Sequence, residues 1–264
     1  MINMQTDERI PSRGLPILVF ALVLFAWWFL TAVFSIPSYI LPSPMDIVSA
    51  TSKIGDSFWR DFAVTAAEAL GGFFLGGASA FLFAVAFAHY SMIEKSFMPY
   101  VIAMKTIPIV AIAPLLVIWF GAGILPKFIL SALICFFPVL VGALKGMKEV
   151  DPDQIDLFES LAASRWQVFK WLRLPNSLTY LFPALRVSIV FAVIGAIVAE
   201  FASANAGLGF KIMMASYHVD TPVMFLYILA TSILSLVLYG IVVAAERYFV
   251  PWSFSARESL IKGE

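Results

Sequence analysis

DPDQIDLFESLAASRWQVFKWLRLP, residues 151–175, is the centre of the longest polar stretch in an otherwise apolar chain. That stretch runs over about 145–180, too polar to span a bilayer and too regular for a linker. Asp151-Pro152-Asp153 reads as a helix start, with Asp151 as cap and proline in the first turn, where its missing N–H removes no helical bond. Ile155, Leu157, Phe158, Leu161, Trp166, Phe169 and Leu172 set apolar contacts among charges. Ala162-Ala163-Ser164 is a small, close-approach corner between two short helices. Leu174-Pro175 is expected to end the second, because proline disfavours helix in the residue before it. A helix lying on the inner leaflet accounts for the Trp, Phe, Lys and Arg content. It does not account for the order helix, small corner, helix, Leu-Pro.

The rest of the chain dictates lipid as solvent. It has 264 residues, is 61% hydrophobic and 13% charged, and its mean hydropathy is +0.93. Soluble domains are about 45–50% apolar and about 25% charged. Seventeen basic and seventeen acidic residues cancel, which argues against a nucleic-acid partner. The single cysteine, Cys135, sits in an apolar run and reads as a small buried hydrophobe. The first apolar run, Leu15 to Phe34, is long enough to span and reads as a retained helix, not a cleaved signal.

Six segments approach the ~20 residues a spanning helix needs, at about 15–34, 62–88, 97–120, 127–146, 180–203 and 222–247. The expected fold is an all-α membrane protein. A tail at 1–14 precedes one six-span domain over 15–247, which contains the polar loop 147–178, and a tail at 248–264 follows. Pro108 and Pro114 interrupt the third segment, as a packing kink or as a broken helix lining a path. With the N-terminus inside, Arg9, Arg13, Lys95, Lys145, Lys148, Arg165, Lys170, Arg173, Arg247, Arg257 and Lys262 are inside. Lys53, Arg60, Lys127 and Lys211 are outside, so eleven cations against four place both termini in the cytoplasm. Gly72, Gly76, Ala80, Ala84 and Ala88 recur every four residues as a packing seam on one helix face. Ser43 or Asp46 is expected to cap a short amphipathic helix running to Ile54, and Trp59 to anchor at the interface.

The loop resembles the signature loop of binding-protein-dependent ABC importer permeases: Glu-Ala-Ala, three residues, Gly, nine residues, an aliphatic residue, any residue, Leu-Pro. Here Asp156-Leu157-Phe158 stands at the triplet, Ala162 at the Gly, and Leu172-Arg173-Leu174-Pro175 at the close. The spacing is kept while the triplet is degenerate and Ala replaces Gly. Ile40-Leu41-Pro42-Ser43-Pro44, the run from Ala113 to Gly121, Val198-Ala199-Glu200-Phe201, Ala206-Gly207-Leu208-Gly209 and Asp220-Thr221-Pro222 are similar to one branch of that family. The branch serves nitrate, sulfonates, taurine, bicarbonate and thiamine-precursor pyrimidines. The resemblance covers about 15–255 and implies a type I importer permease working as two copies side by side in the bacterial inner membrane. It also implies two cytoplasmic ATPase subunits, which bind ATP and Mg, and a periplasmic solute-binding protein. On this resemblance Asp156, Glu159, Leu161, Ala162, Ala163, Ser164, Trp166 and Pro175 belong to the ATPase-coupling loop. The chain itself has no G-x-x-x-x-G-K-[ST] and needs no cofactor of its own.

Glu68, Lys105, Arg186 and Glu200 sit within or at the ends of spans. An unpaired charge at the bilayer centre costs at least ~2.5–3.5 kcal/mol, so each faces protein or water. Arg186 is expected to snorkel to the inner interface, Glu68 to take a structural partner or a function. Glu200, beside Ser203 and Asn205, is the expected outer-gate residue. Lys105, Pro108 and Trp119 are further path candidates, and Met213, Met214, Tyr217 and His218 fall in the last outer loop. A gradient-driven secondary transporter needs coupling groups near the midplane, at which only Pro108, Pro114 and Lys105 hint. A membrane enzyme lacks its constellation: His89 and His218 are the only histidines, with no H-E-x-x-H or G-x-S-x-G.

Overall fold

A computed structural model describes residues 14–252, and no strand occurs among the described residues. Residues 1–13 and 253–264, with Arg9, Arg13, Arg257 and Lys262, lie outside them. The helices are α1 (Gly14–Val33), α2 (Pro44–Ala50), α3 (Phe58–His89), α4 (Ser91–Thr106), α5 (Ile109–Phe120) and α6 (Leu125–Lys148), then α7 (Pro152–Ser160), α8 (Arg165–Val168), α9 (Leu174–Ser203), α10 (Leu208–Tyr217) and α11 (Thr221–Phe249). Five helical runs are long and apolar enough to span: Gly14–Val33, Phe58–His89, Leu125–Lys148, Arg165–Ser203 and Thr221–Phe249. The sixth expected span is the pair α4 and α5, bent by 98°. The break falls at Pro108, the extended residue just before α5, while Pro114 lies inside that helix. Ile107 is extended (φ −72°, ψ 127°), as a residue before proline must be.

The fifth span corrects the sequence reading. Leu174-Pro175 does not end a helix: residues 165–203 form one helical run. Phe169–Arg173 form a π turn, in which the Leu174 N–H reaches back to the Phe169 carbonyl. The wider turn lies just before the proline, whose ring would otherwise press on the preceding turn.

The chain groups into two compact units where one domain over 15–247 is expected. The larger comprises Asp56–Lys211 and the described residues from Ile228 onward. Its centre is α3, α6 and α9. The small-residue stripe of α3 is a seam against α6: a Cβ on Gly76 would meet the backbone of Ala132, and Ala80 and Ala84 bury with Val139, Leu140, Ala143 and Leu144. On α6, a Cβ on Gly146 would lie 2.7 Å from the Ser177 Cα of α9. Lipid offers no hydrophobic drive for helix association, so close backbone approach and interhelical polar contacts hold such helices together. Ser131 Oγ donates to the Ala192 carbonyl (3.0 Å) and the buried Cys135 Sγ to that of Ser188 (3.1 Å), both from α6 to α9.

The smaller unit comprises the described residues up to Gly55 together with Ile212–Tyr227. Ser43 and Asp46 form a reciprocal capping box that starts α2, and a 3-10 turn Thr51–Lys53 extends it almost to the expected Ile54. Lys53 Nζ pairs with Asp220 Oδ2 at 2.7 Å, and Thr221 Oγ1 donates to the Tyr39 carbonyl at 2.6 Å. Helix α1 buries only Thr31, as lipid-facing or partner-facing apolar residues allow.

Candidate functional site

The 151–175 segment is built by local rules. Asp151 Oδ1 accepts from the Asp153 N–H at 3.0 Å, and Pro152 opens α7. The helix ends at Leu161 with two backbone bonds: Ala163 N–H to the Phe158 carbonyl (3.0 Å) and Ala162 N–H to that of Glu159 (2.9 Å). That pair is a Schellman closure, whose pivot adopts the left-handed conformation glycine favours. Here the pivot is Ala162, at φ +51°, and a non-glycine residue there costs about 1–2 kcal/mol. Ser164 then starts the next helix with a capping box: its Oγ accepts from Gln167 N–H (3.3 Å), and its N–H donates to Gln167 Oε1 (2.7 Å). The corner is therefore two helix caps back to back, with Ala163 between them. Leu161 and Trp166 stay 71% and 65% exposed, beside exposed Asp156 and Glu159. Pro175 lies within the continuous helix. Asn176, next to it, donates from Nδ2 to the Gly146 and Glu149 carbonyls (2.7 and 2.8 Å), closing the end of α6.

A second constellation is buried. Asp61, Thr65 and Glu68, four and three residues apart, share one face of α3. Opposite them lie the end of α9 and the start of α10. The four N–H groups of Gly207, Leu208, Gly209 and Phe210 all reach side chains from elsewhere. Gly207 donates to Asp61 Oδ1 (3.1 Å), Leu208 to Thr65 Oγ1 (2.8 Å), and Gly209 and Phe210 to Glu200 Oε2 (2.5 and 3.2 Å). Thr65 Oγ1 donates to Glu200 Oε1 at 2.6 Å. A helix start leaves such donors without backbone partners, and burial makes an unmet donor costly. Gly207 has φ +114°, and a Cβ there would collide with the Glu200 carboxylate. Lys211 Nζ, one turn into α10, lies 3.5 Å from Asp61 Oδ2.

This geometry revises the expectations for the membrane charges. Glu200, the expected gate residue, is wholly buried, and both its oxygens hold the α10 start. Ser203 is half-buried and Asn205 exposed, and neither hydrogen-bonds Glu200. Lys127 is no loop cation but sits in the first turn of α6, 7% exposed, with Nζ 2.5 Å from Glu68 Oε1. Arg186 does not snorkel; it pairs with Glu246, a fully buried carboxylate near the end of α11 that the sequence reading overlooked. Each partner spares the other the cost of a lone buried charge. Lys105 is exposed, with Nζ 4.5 Å from the Phe137 ring centroid, and Trp119 is exposed near the end of α5. Met213, Met214 and Tyr217 lie on α10, not in a loop. Of the expected path residues, Glu68 and Glu200 lie against each other in this buried cluster, while Lys105 and Trp119 are exposed on α4 and α5.

Asp61, Thr65 and Lys127 were legible only as a polar stripe on an apolar helix and a cation at a span start. No group of metal-ligating side chains occurs among the described residues.

Comparison with known proteins fits this architecture. The family described as binding-protein-dependent transport system inner membrane component matches residues 72–252. The riboflavin transport system permease protein RibX of Chloroflexus aurantiacus is 32% identical over 247 residues, 93% of this chain and 92% of its own length. The formylaminopyrimidine transport permease protein ThiX of Halalkalibacterium halodurans is 31% identical over 235 residues, 89% of this chain and 94% of its own. Among solved structures, a chain of the MetNI methionine ABC transporter in an inward-facing conformation superimposes with TM-score 0.60 at 17% identity, covering 74% of this chain and 99% of that one. The chain belongs to the family of binding-protein-dependent transport system inner membrane components and is a permease subunit of an ABC importer.

Proposed function

We propose that this permease works as two copies in the bacterial inner membrane with both termini in the cytoplasm. Two ATPase subunits, holding ATP and Mg, dock on the 151–175 segment, and a periplasmic binding protein delivers the solute. The observation that carries the docking is the corner at 161–166: two helix caps abut and leave Leu161 and Trp166 exposed beside Glu159. An apolar pair on a rigid polar corner is a compact anchor for a partner groove. Asp156, Ala162, Ala163 and Ser164 shape that corner, and Pro175 keeps the following helix in register. The path runs along the broken span, with Lys105, Pro108 and Trp119 facing it.

The solute is a neutral, planar heterocycle of the pyrimidine or flavin type, in preference to a small anion such as a sulfonate. Two of the span cations are neutralised, Lys127 by Glu68 and Arg186 by Glu246. Of Lys105, Lys127 and Arg186 only Lys105 stays exposed, and one cation is less than the ring of positive groups an anion path uses. Two relatives above 30% identity bear the names of a riboflavin and a formylaminopyrimidine permease. The test is ATP-driven uptake by the assembled transporter in liposomes, with labelled formylaminopyrimidine, riboflavin and taurine in parallel. Uptake of either heterocycle and not of taurine is expected. Taurine uptake alone overturns the solute class, and uptake by this chain without an ATPase overturns the coupling.

A further inference from the structure

Behind the exposed corner, the 151–175 segment and the end of α3 flank a half-open cleft of about 460 Å3. Helix α3 and the residue after it supply His89 and Tyr90, α7 supplies Glu159, and the run from residue 165 supplies Arg165, Phe169 and Arg173. Arg173 Nη1 donates to the Ala88 carbonyl at 3.3 Å, in the last turn of α3. That bond orients the guanidinium and leaves its other N–H donors for a ligand. The Arg165 guanidinium makes no hydrogen bond or ion pair among the described residues, although Glu159 lines the same cleft. The His89 ring packs against Phe169 at 4.8 Å, and its Nδ1 is engaged with the Val85 carbonyl at 3.0 Å, leaving Nε2. Two guanidiniums against one carboxylate give the cleft a positive balance. Their planar forks match tetrahedral oxyanions better than lysine does. Tyr90, Trp166 and Trp171, each more than 60% exposed, stand around the end of this helix pair, the aromatic setting of a membrane–water interface.

We propose that this cleft binds a phosphate-bearing anion, gripped by Arg165 and Arg173 and stacked beside His89. The occupant ties α7 to α3, so it also sets how firmly the corner is held; that effect rests on the ATPase-docking reading, while the binding does not. The chemistry fits an anionic lipid headgroup and a soluble phosphate ester equally.

Binding is measured on the purified full-length chain, without ATPase, in nanodiscs of phosphatidylcholine alone. Phosphatidylglycerol doped into the disc is counted by native mass spectrometry, and glycerol 3-phosphate is titrated by isothermal calorimetry. Retention of phosphatidylglycerol identifies a headgroup and a response to glycerol phosphate a soluble ester; either supports the site when Arg165→Gln weakens it. Arg165→Gln, an exposed change that leaves packing intact, is expected to weaken binding about tenfold, the loss of one charge-assisted contact. Glu159→Gln tightens it severalfold, and Lys170→Gln, outside the cleft lining, leaves it unchanged. Neither probe binding, or Lys170→Gln weakening binding as much as Arg165→Gln, overturns the proposal.

Discussion

The corner at 161–166 and the start of α10 solve the same physical problem in opposite ways. Both must satisfy backbone groups that a helix terminus leaves open. The corner does so with groups at most five residues away, in the open. The α10 start does so with Asp61 and Thr65, 146 and 143 residues away, and with Glu200, all buried. Water can replace a lost bond at the corner; nothing can at the α10 start. Substitutions in the two places should therefore differ in size and in kind.

The largest effect belongs beside the buried clamp. Lys127→Met leaves Glu68 as an uncompensated buried charge, which costs about 3–5 kcal/mol. The expected outcome is loss of folded protein in detergent, read by thermal melting and size exclusion. Recovery in Lys127→Met with Glu68→Gln separates the charge from the cavity, and full stability of the single variant would remove the ion pair from the account. Next is Glu200→Ala, which strands the Gly209 and Phe210 N–H groups at about 1–3 kcal/mol each. Hydrogen exchange at the start of α10 should rise sharply. Transport should fall with it, while exchange in α7 stays unchanged.

The corner should respond more mildly and in both directions. Ala162→Val puts a branched side chain at φ +51°, at a further cost of about 1–2 kcal/mol. ATP hydrolysis should then uncouple from uptake with membrane insertion intact. Ala162→Gly relaxes the same pivot and should slow exchange at the end of α7 by the equivalent of about 1 kcal/mol. Ser164→Ala removes one cap, typically about 1 kcal/mol, and should fray the residues after it without lowering the melting temperature of the bundle. If Ser164→Ala proved as damaging as Glu200→Ala, the contrast between an exposed and a buried terminus would fail.

The same contrast explains what the chain reveals on reading. The helix starts at Ser43 and Asp151 are written in neighbouring residues, and both caps are present. The seam on α3 follows from a spacing of four, and α6 fills it. Six apolar runs emerge because lipid imposes length. Pairings across helices do not follow from such rules. Nothing near Glu200 indicates that its partners are Thr65 and the N–H of Gly209. Nothing near Arg186 points to Glu246 rather than to the interface. The helix end expected at Leu174-Pro175 failed for a related reason: proline's local preference yielded to a π turn that lets the run continue. Local chemistry is legible, but which long-range partner satisfies a buried group is decided by packing.

That π turn has a mechanical consequence. Because the run from Arg165 to Ser203 is unbroken over 39 residues, it is a lever about 58 Å long at 1.5 Å per residue. One end carries Trp166 and the other Glu200. A tilt of about 5° displaces the ends by about 5 Å relative to each other. The corner and the clamp thus sit at the two ends of one helical run, whose departures from regular α-helix bonding are the π turn at 169–173 and Pro183.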